Sequence, residues 1–204
     1  MYPRKRLVIF LLLLIQVVVL VKNRGELFYD YYWFCDFAPA LFVAFFLSNN
    51  TQAIKGLINI LLFGQLGYIL IILAKVVFGV TLMNFTFDQP LTYTYIVYTL
   101  AIHVASPIAF LATRTYVPTR ASLLYSVGIL IITYSVIILS VAPSNSDTTN
   151  YNLIFHSHLF ERFPYYSHFW VVLAFIFVVL PTHVFQCVVS TFYKDVSPKT
   201  ETVV

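Results

Sequence analysis

The chain is dominated by apolar blocks that are long enough to cross a lipid bilayer. After a first block, five more contain about 17 to 27 residues each, enough to span a hydrocarbon layer of ~30 Å at 1.5 Å per residue. Only 10% of the residues are charged, whereas soluble domains carry roughly 25%. The sequence therefore predicts an all-α membrane bundle of six transmembrane helices, a single domain over 1–204, with helices at 7–21, 31–47, 54–74, 92–112, 121–142 and 166–192.

The first block is also compatible with a signal peptide, because three basic residues at 4–6 precede its apolar run. The run ends at Val21 and Lys22 without the small residues of a cleavage site. We therefore expect a retained first helix.

The distribution of Lys and Arg predicts the orientation, since these residues are enriched in short cytoplasmic loops. With six helices and a cytoplasmic N-terminus, the cytoplasmic side holds Arg4, Lys5, Arg6, Lys55, Arg114, Arg120, Lys194 and Lys199. The opposite side holds Lys22, Arg24, Lys75 and Arg162. Both termini are therefore predicted to be cytoplasmic. The basic residues serve as helix anchors in this interpretation, so the expected partner is membrane lipid and not nucleic acid.

Ionisable residues at bilayer depth are costly and often mark functional sites. Cys35, next to Asp36, lies roughly 6 Å and His103 roughly 16 Å from the same end of the bundle at 1.5 Å per residue. If their helices are neighbours, a His base can activate the thiol as a nucleophile, with Asp36 orienting the imidazole. The alternative is that Cys35 is a small buried hydrophobe and that His103 bonds a neighbouring helix.

Other candidate positions have simpler interpretations. His183 and Cys187 share a helix face at i,i+4 spacing, which suits a dyad, half a metal site, or plain packing. The loop residues His156, His158 and Glu161, with His168 nearby, match no closed zinc spacing, so no metal is predicted. Lys75 is expected to reach the membrane interface. Gly64 and Gly67 predict close approach of a neighbouring helix.

The stretch 32–38 with Cys35 at its centre, continuing through Ile60, resembles the second-helix block of the YwaF-type membrane proteins. The order of later features is similar as well: His103, a loop with Arg114, Pro118 and Arg120, and the segment Thr149-Asn150-Tyr151. The likeness extends over most of the chain from the second helix to the sixth. The chain departs from the bacterial pattern at Trp33, where His is frequent, and at Val104, where Gly is frequent.

The resemblance implies a fold and an activity. The wider group includes a eukaryotic intramembrane phospholipid acyltransferase with a Cys nucleophile, and more distantly the androgen-induced hydrolases of fatty acid esters of hydroxy fatty acids. Cys35 matches the nucleophile and His103 matches the base. Asn150 and Tyr151 match a motif that we expect to line the substrate or to support the structure.

The leading hypothesis is therefore an intramembrane lipid acyltransferase or lipid-ester hydrolase that uses Cys35 and His103. Asp36 or Ser106 would orient or polarise the reacting groups, and no cofactor is required. The alternative is a non-catalytic membrane protein, either a transporter of a polar solute or a partner in a membrane complex. A transporter predicts that Asp36, Asn59, Gln65 and His103 line one cavity.

Overall fold

Nearly all of the described chain is helical. The computed structural model describes residues 4–24, 33–80, 92–140, 163 and 165–196, and no strand occurs among them. The helices are α1 (Lys5–Lys22), α2 (Phe34–Leu47), α3 (Thr51–Phe78), α4 (Tyr93–His103), α5 (Ala105–Thr113), α6 (Arg120–Ser140), α7 (Tyr166–Ala174) and α8 (Leu180–Val196), with a π-helical turn at Phe175–Val179. Helices α4 and α5 form one interrupted stretch, and α7, the π-helical turn and α8 form another. The described helices thus make six stretches, which confirms the all-α prediction with six helices.

Four helical stretches are long and apolar enough to cross a membrane: Thr51–Phe78, Tyr93–Thr113, Arg120–Ser140 and Tyr166–Tyr193. The second helix has only 14 residues, and α1 carries Lys5, Arg6 and Lys22 within its 18. Large apolar side chains face outward, among them Phe78 and Leu139. Such a surface is typical of contact with lipid, so the structure indicates a membrane protein.

The helix boundaries differ from the prediction at a capping residue and near two prolines. The third helix was predicted at 54–74 but begins at Thr51, because the Asn50 side chain accepts a hydrogen bond from Ala53 N–H. The fourth predicted helix is interrupted at Val104. Pro107 has no N–H for the carbonyl of His103, which explains a break at that point. The π-helical turn lies just before Pro181, which, like Pro107, has no backbone N–H to donate to the preceding helical turn.

The centre of the bundle is α3. Half of its most apolar window is buried, against 17–33% in the other three long helices. It packs against α2, α4, α5, α6 and α8, while α1 packs on α2, α4 and α5. Every other element is therefore positioned directly or indirectly by α3.

Successive helices alternate in direction, which gives the bundle two distinct ends. At one end, Lys5 Nζ donates to Asn49 Oδ1 at 2.7 Å and Gln52 Oε1 accepts from Thr119 N–H at 2.9 Å. We call this the basic end, because it holds Lys5, Arg6, Lys55, Arg114 and Arg120. The start of α2 and the end of α1 lie at the opposite end.

A close contact between α3 and α6 is made by Gly56, a glycine that the sequence did not single out. A Cβ on Gly56 would lie 2.7 Å from the Ser122 carbonyl oxygen and 2.7 Å from Tyr125 Cβ. Gly64 and Gly67, which were predicted to allow close approach, have nothing within 4 Å of an added Cβ. That prediction is wrong, because the close contact of α3 with α6 lies two turns nearer the start of α3.

This contact generates a matched pair of variants. Gly56→Ala is expected to destabilise the protein by about 1–3 kcal/mol, because the clash is with backbone that cannot rotate away. Gly64→Ala adds the same methyl group to the same helix in open space and serves as control. The measurement is the thermal unfolding midpoint of each variant in detergent. Equal midpoints for the two variants would contradict the close contact.

Candidate functional site

Asp36 is buried at the start of α2, where it is 1% exposed. Asn23 Nδ2 donates to its Oδ2 at 3.0 Å, and Lys22 Nζ lies 3.9 Å from the same oxygen. The other oxygen, Oδ1, has no hydrogen-bond partner in the described part of the chain. The carboxylate thus connects the end of α1 to the start of α2 through Oδ2, while its buried Oδ1 has no described hydrogen-bond partner.

The Gln16 side chain fixes the register between α1 and α2. Its Nε2 donates to the Asp36 carbonyl at 3.2 Å, and its Oε1 accepts from Ala40 N–H at 3.0 Å. Pro39 lies between these backbone groups and has no N–H of its own for the Cys35 carbonyl. The Gln16 amide therefore replaces backbone hydrogen bonds of α2 next to Pro39. These bonds fix the position of Cys35 and Asp36 along the axis of α1.

His103 ends α4 with its ring held on two sides. Nδ1 lies 2.7 Å from the Thr99 carbonyl oxygen. Because a carbonyl only accepts, Nδ1 carries the proton and Nε2 keeps a lone pair. The ring stacks on Tyr68 at a centroid distance of 4.4 Å and an interplanar angle of 7°. The imidazole is thus oriented as a proton acceptor at Nε2.

The structure brings Cys35, Asp36 and His103 to one region but does not join them into a hydrogen-bonded triad. Helix α4 contacts both α1 and α2. Cys35 is half-buried, carries a free thiol and directly precedes Asp36 in α2. Among the described residues, no hydrogen bond joins Cys35 to His103, and the ring is oriented by Thr99 and Tyr68 instead of by Asp36.

The other predicted site residues have different positions. Ser106 is fully buried, and its N–H and its hydroxyl both donate to Gln65 Oε1, at 2.9 and 2.7 Å. Its hydroxyl proton is thus used in a hydrogen bond that joins α5 to α3. Asn150 and Tyr151 lie outside the described residues.

A second polar cluster, which we call the Asn59 network, joins α3, α6 and α8 near the basic end. Asn59 Nδ2 donates to Ser126 Oγ at 3.2 Å, and Asn59 Oδ1 accepts from Gln186 Nε2 at 2.6 Å. Gln186 Nε2 also donates to the Lys55 carbonyl at 3.2 Å. Asn59 and Gln186 are both fully buried, so these bonds replace those that water would make in a soluble protein.

His183 and Cys187 do not form the dyad that their spacing allows. His183 Nδ1 lies 3.4 Å from Ser122 Oγ and 3.5 Å from Asn59 Nδ2, at the edge of the Asn59 network. No hydrogen bond joins it to Cys187 in the described ranges. These ranges also contain no group of three or more His, Cys, Asp or Glu that could hold a metal. The predicted loop residues His156, His158 and Glu161 lie outside them.

Lys55 is the functional candidate that the sequence analysis missed. Its whole side chain is inaccessible, and its Nζ has no hydrogen-bond partner among the described residues. The Phe110 ring centroid lies 5.7 Å from Nζ. A charged side chain inside a membrane helix is costly unless it is paired. The missed signal was the Asn50 cap, which starts α3 earlier and moves Lys55 from the interface into the packed helix.

The chain matches no family model, no curated protein and no solved structure. The resemblance to the YwaF-type proteins therefore stays a prediction. Any functional assignment depends on the two polar regions described above.

The Asn59 network predicts a large effect for one variant. Asn59→Leu is expected to destabilise the protein by about 1–3 kcal/mol, because Gln186 Nε2 loses one of its two acceptors and Ser126 Oγ loses its donor. Thr191→Val is the control, because the Thr191 hydroxyl makes an exposed bond to the Cys187 carbonyl within α8. Thermal unfolding in detergent measures both, and similar midpoints would show that the network contributes little to stability.

Proposed function

We propose that this chain is an intramembrane enzyme that transfers or hydrolyses acyl groups of membrane lipids, with Cys35 as nucleophile and His103 as base. The observation that carries the proposal is the orientation of His103. Its Nδ1 proton is donated to the Thr99 carbonyl, so Nε2 keeps the lone pair that a general base requires. A half-buried free thiol and a buried carboxylate lie in the same region.

The reaction would proceed in two halves. His103 Nε2 takes the thiol proton, and the Cys35 sulfur attacks the carbonyl carbon of a lipid ester. A C–S bond forms, the C–O bond to the leaving alcohol breaks, and the imidazolium returns its proton to that alcohol. A second alcohol or water then attacks the thioester and gives its proton to Nε2, and the departing thiolate takes that proton back.

Asp36 supports this chemistry through its charge. Its carboxylate stabilises the imidazolium that forms at His103, because opposite charges attract strongly where water is scarce. Its open Oδ1 is suited to accept the hydroxyl of the incoming alcohol or water. The proposed mechanism requires one closing step, in which substrate binding brings Cys35 and His103 within hydrogen-bond reach.

The proposal includes a topology of six spanning helices with both termini in the cytoplasm. The basic end contains most of the described Lys and Arg residues, and α1 and α2 complete the bundle around α3. With this orientation, the Cys35 region opens to the outer leaflet, where acyl chains can reach it.

The rival function is a non-catalytic membrane protein, a solute transporter or a partner in a complex. The missing hydrogen bond between Cys35 and His103 favours it. Against a transporter, the polar residues expected in one cavity make hydrogen bonds to separate partners: Asp36 to Asn23, Gln65 to Ser106, and Asn59 to Gln186 and Ser126.

Labelling with a thiol-reactive probe that carries a long alkyl chain tests the enzymatic proposal. In purified protein reconstituted in lipid nanodiscs, Cys35 is expected to react faster than Cys187. His103→Ala should slow Cys35 labelling about 10²-fold or more, which is the usual contribution of a general base. Mass spectrometry of the modified peptides, read against time, gives both rates.

Cys187→Ser is the matched control and should leave Cys35 labelling unchanged. Each variant is first shown to be monodisperse, with an unfolding midpoint close to that of the starting protein. If both thiols react at the same rate, or if His103→Ala has no effect, Cys35 is a packed thiol and the rival function stands.

A further inference from the structure

The amine of Lys55 is fully buried and has no described counter-charge. Asp36 is the single carboxylate side chain that the structure describes, and it lies at the other end of the bundle. Lys55 lies at the basic end, which also holds Arg114 and Arg120. A buried ammonium normally has an acceptor, so an acceptor from outside the described chain is expected here.

Gln186 adds a second open group beside Lys55. Its Nε2 is used twice, by the Lys55 carbonyl and by Asn59 Oδ1, which fixes the amide orientation. Its Oε1 is buried and has no hydrogen-bond partner in the described ranges. One donor on Lys55 and one acceptor on Gln186 are therefore both unsatisfied within the same helix contact.

A contact between α5 and α8 begins beside Lys55, whose Nζ lies 5.7 Å from the centroid of the Phe110 ring on α5. The Phe110 and Phe185 rings meet across it at a centroid distance of 5.6 Å, and Phe185 is 37% exposed. One turn beyond Phe110, the Arg114 guanidinium lies 4.8 Å from the centroid of the Tyr193 ring. We call this the α5–α8 seam. It is apolar towards lipid and cationic towards the basic end of the bundle.

We propose that the α5–α8 seam binds an anionic amphiphile whose carboxylate or phosphate oxygen accepts a hydrogen bond from Lys55. The acyl chain would lie along Phe110 and Phe185, with Arg114 adding attraction at the mouth of the seam. Where the head group is a phosphate monoester, its protonated oxygen would also donate to Gln186 Oε1. This site is separate from Cys35 and does not depend on the acyl-transfer proposal.

Binding of palmitate, compared with hexadecanol, tests the proposal in detergent-purified full-length protein. Palmitate is expected to bind at least tenfold more tightly than the uncharged alcohol of the same chain length. Lys55→Met keeps an apolar side chain of similar length and should lower palmitate affinity at least tenfold. Lys75→Met removes a lysine from the other end of α3 and should leave it unchanged. Native mass spectrometry of the complexes measures all four affinities.

Photo-crosslinking of the unmodified protein gives a second measurement that needs no variant. A palmitate analogue with a diazirine on its chain should label residues of α5 and α8 around Phe110 and Phe185. Palmitate binding should persist in Cys35→Ala, which separates this site from the proposed acyl-transfer site.

Three results would overturn the inference: equal binding of palmitate and hexadecanol, unchanged affinity in Lys55→Met, or cross-links confined to other helices. Inorganic phosphate distinguishes the source of the anion. If it displaces palmitate from the unmodified protein and binds as tightly on its own, the site takes a free anion and the amphiphile is excluded. If it does neither, the acyl chain is part of the ligand.

Discussion

The structure depends on the burial of α3, because the polar groups of this helix have no water to bond with. Its neighbours must therefore supply hydrogen bonds as well as apolar surface. Ser126 from α6 and Gln186 from α8 both bond to Asn59, while Ser106 from α5 bonds to Gln65. Since lipid tails are as apolar as leucine, such bonds and close backbone contacts determine which helices pair. The Gly56 contact with α6 provides the second of these.

The absence of water inside the bundle also makes two buried ionisable residues, Asp36 and Lys55, candidates for functional sites. Asp36 and Lys55 are opposite charges, yet they lie at opposite ends of the bundle. The rest of α2 alone extends roughly 16 Å beyond Asp36 at 1.5 Å per residue, so the two charges do not pair. Asp36 is partly compensated by Asn23 and Lys22, whereas Lys55 has no described hydrogen-bond acceptor. Each end therefore has its own unsatisfied polar group, and the two proposals follow from these separate places.

The sequence predicted the helices better than it predicted their contacts. Long apolar blocks identify helices because a bilayer requires closed backbone hydrogen bonds over a fixed length. The depths of Cys35, Asp36 and His103 along the chain predicted a shared site, which stays a prediction. The partners of these residues did not follow, because Thr99, Tyr68 and Asn23 become neighbours only through helix rotation. Gly64 and Gly67 were wrongly chosen over Gly56 for the same reason, since small residues in lipid carry no signal of which face is covered.

By itself, the sequence determined that this protein is all-α, with helices long and apolar enough to cross a membrane, because the length and apolarity of its blocks are local properties of the chain. It also determined which residues are costly in lipid, since charge and polarity belong to the side chain alone. Only the tertiary structure decided which of these residues are satisfied. Lys55 looked like an interfacial anchor in the sequence and is buried in the fold, because its surroundings come from α5 and α8, more than fifty residues away along the chain. Hydrogen bonds and burial between helices depend on rotation and register, which no single helix specifies.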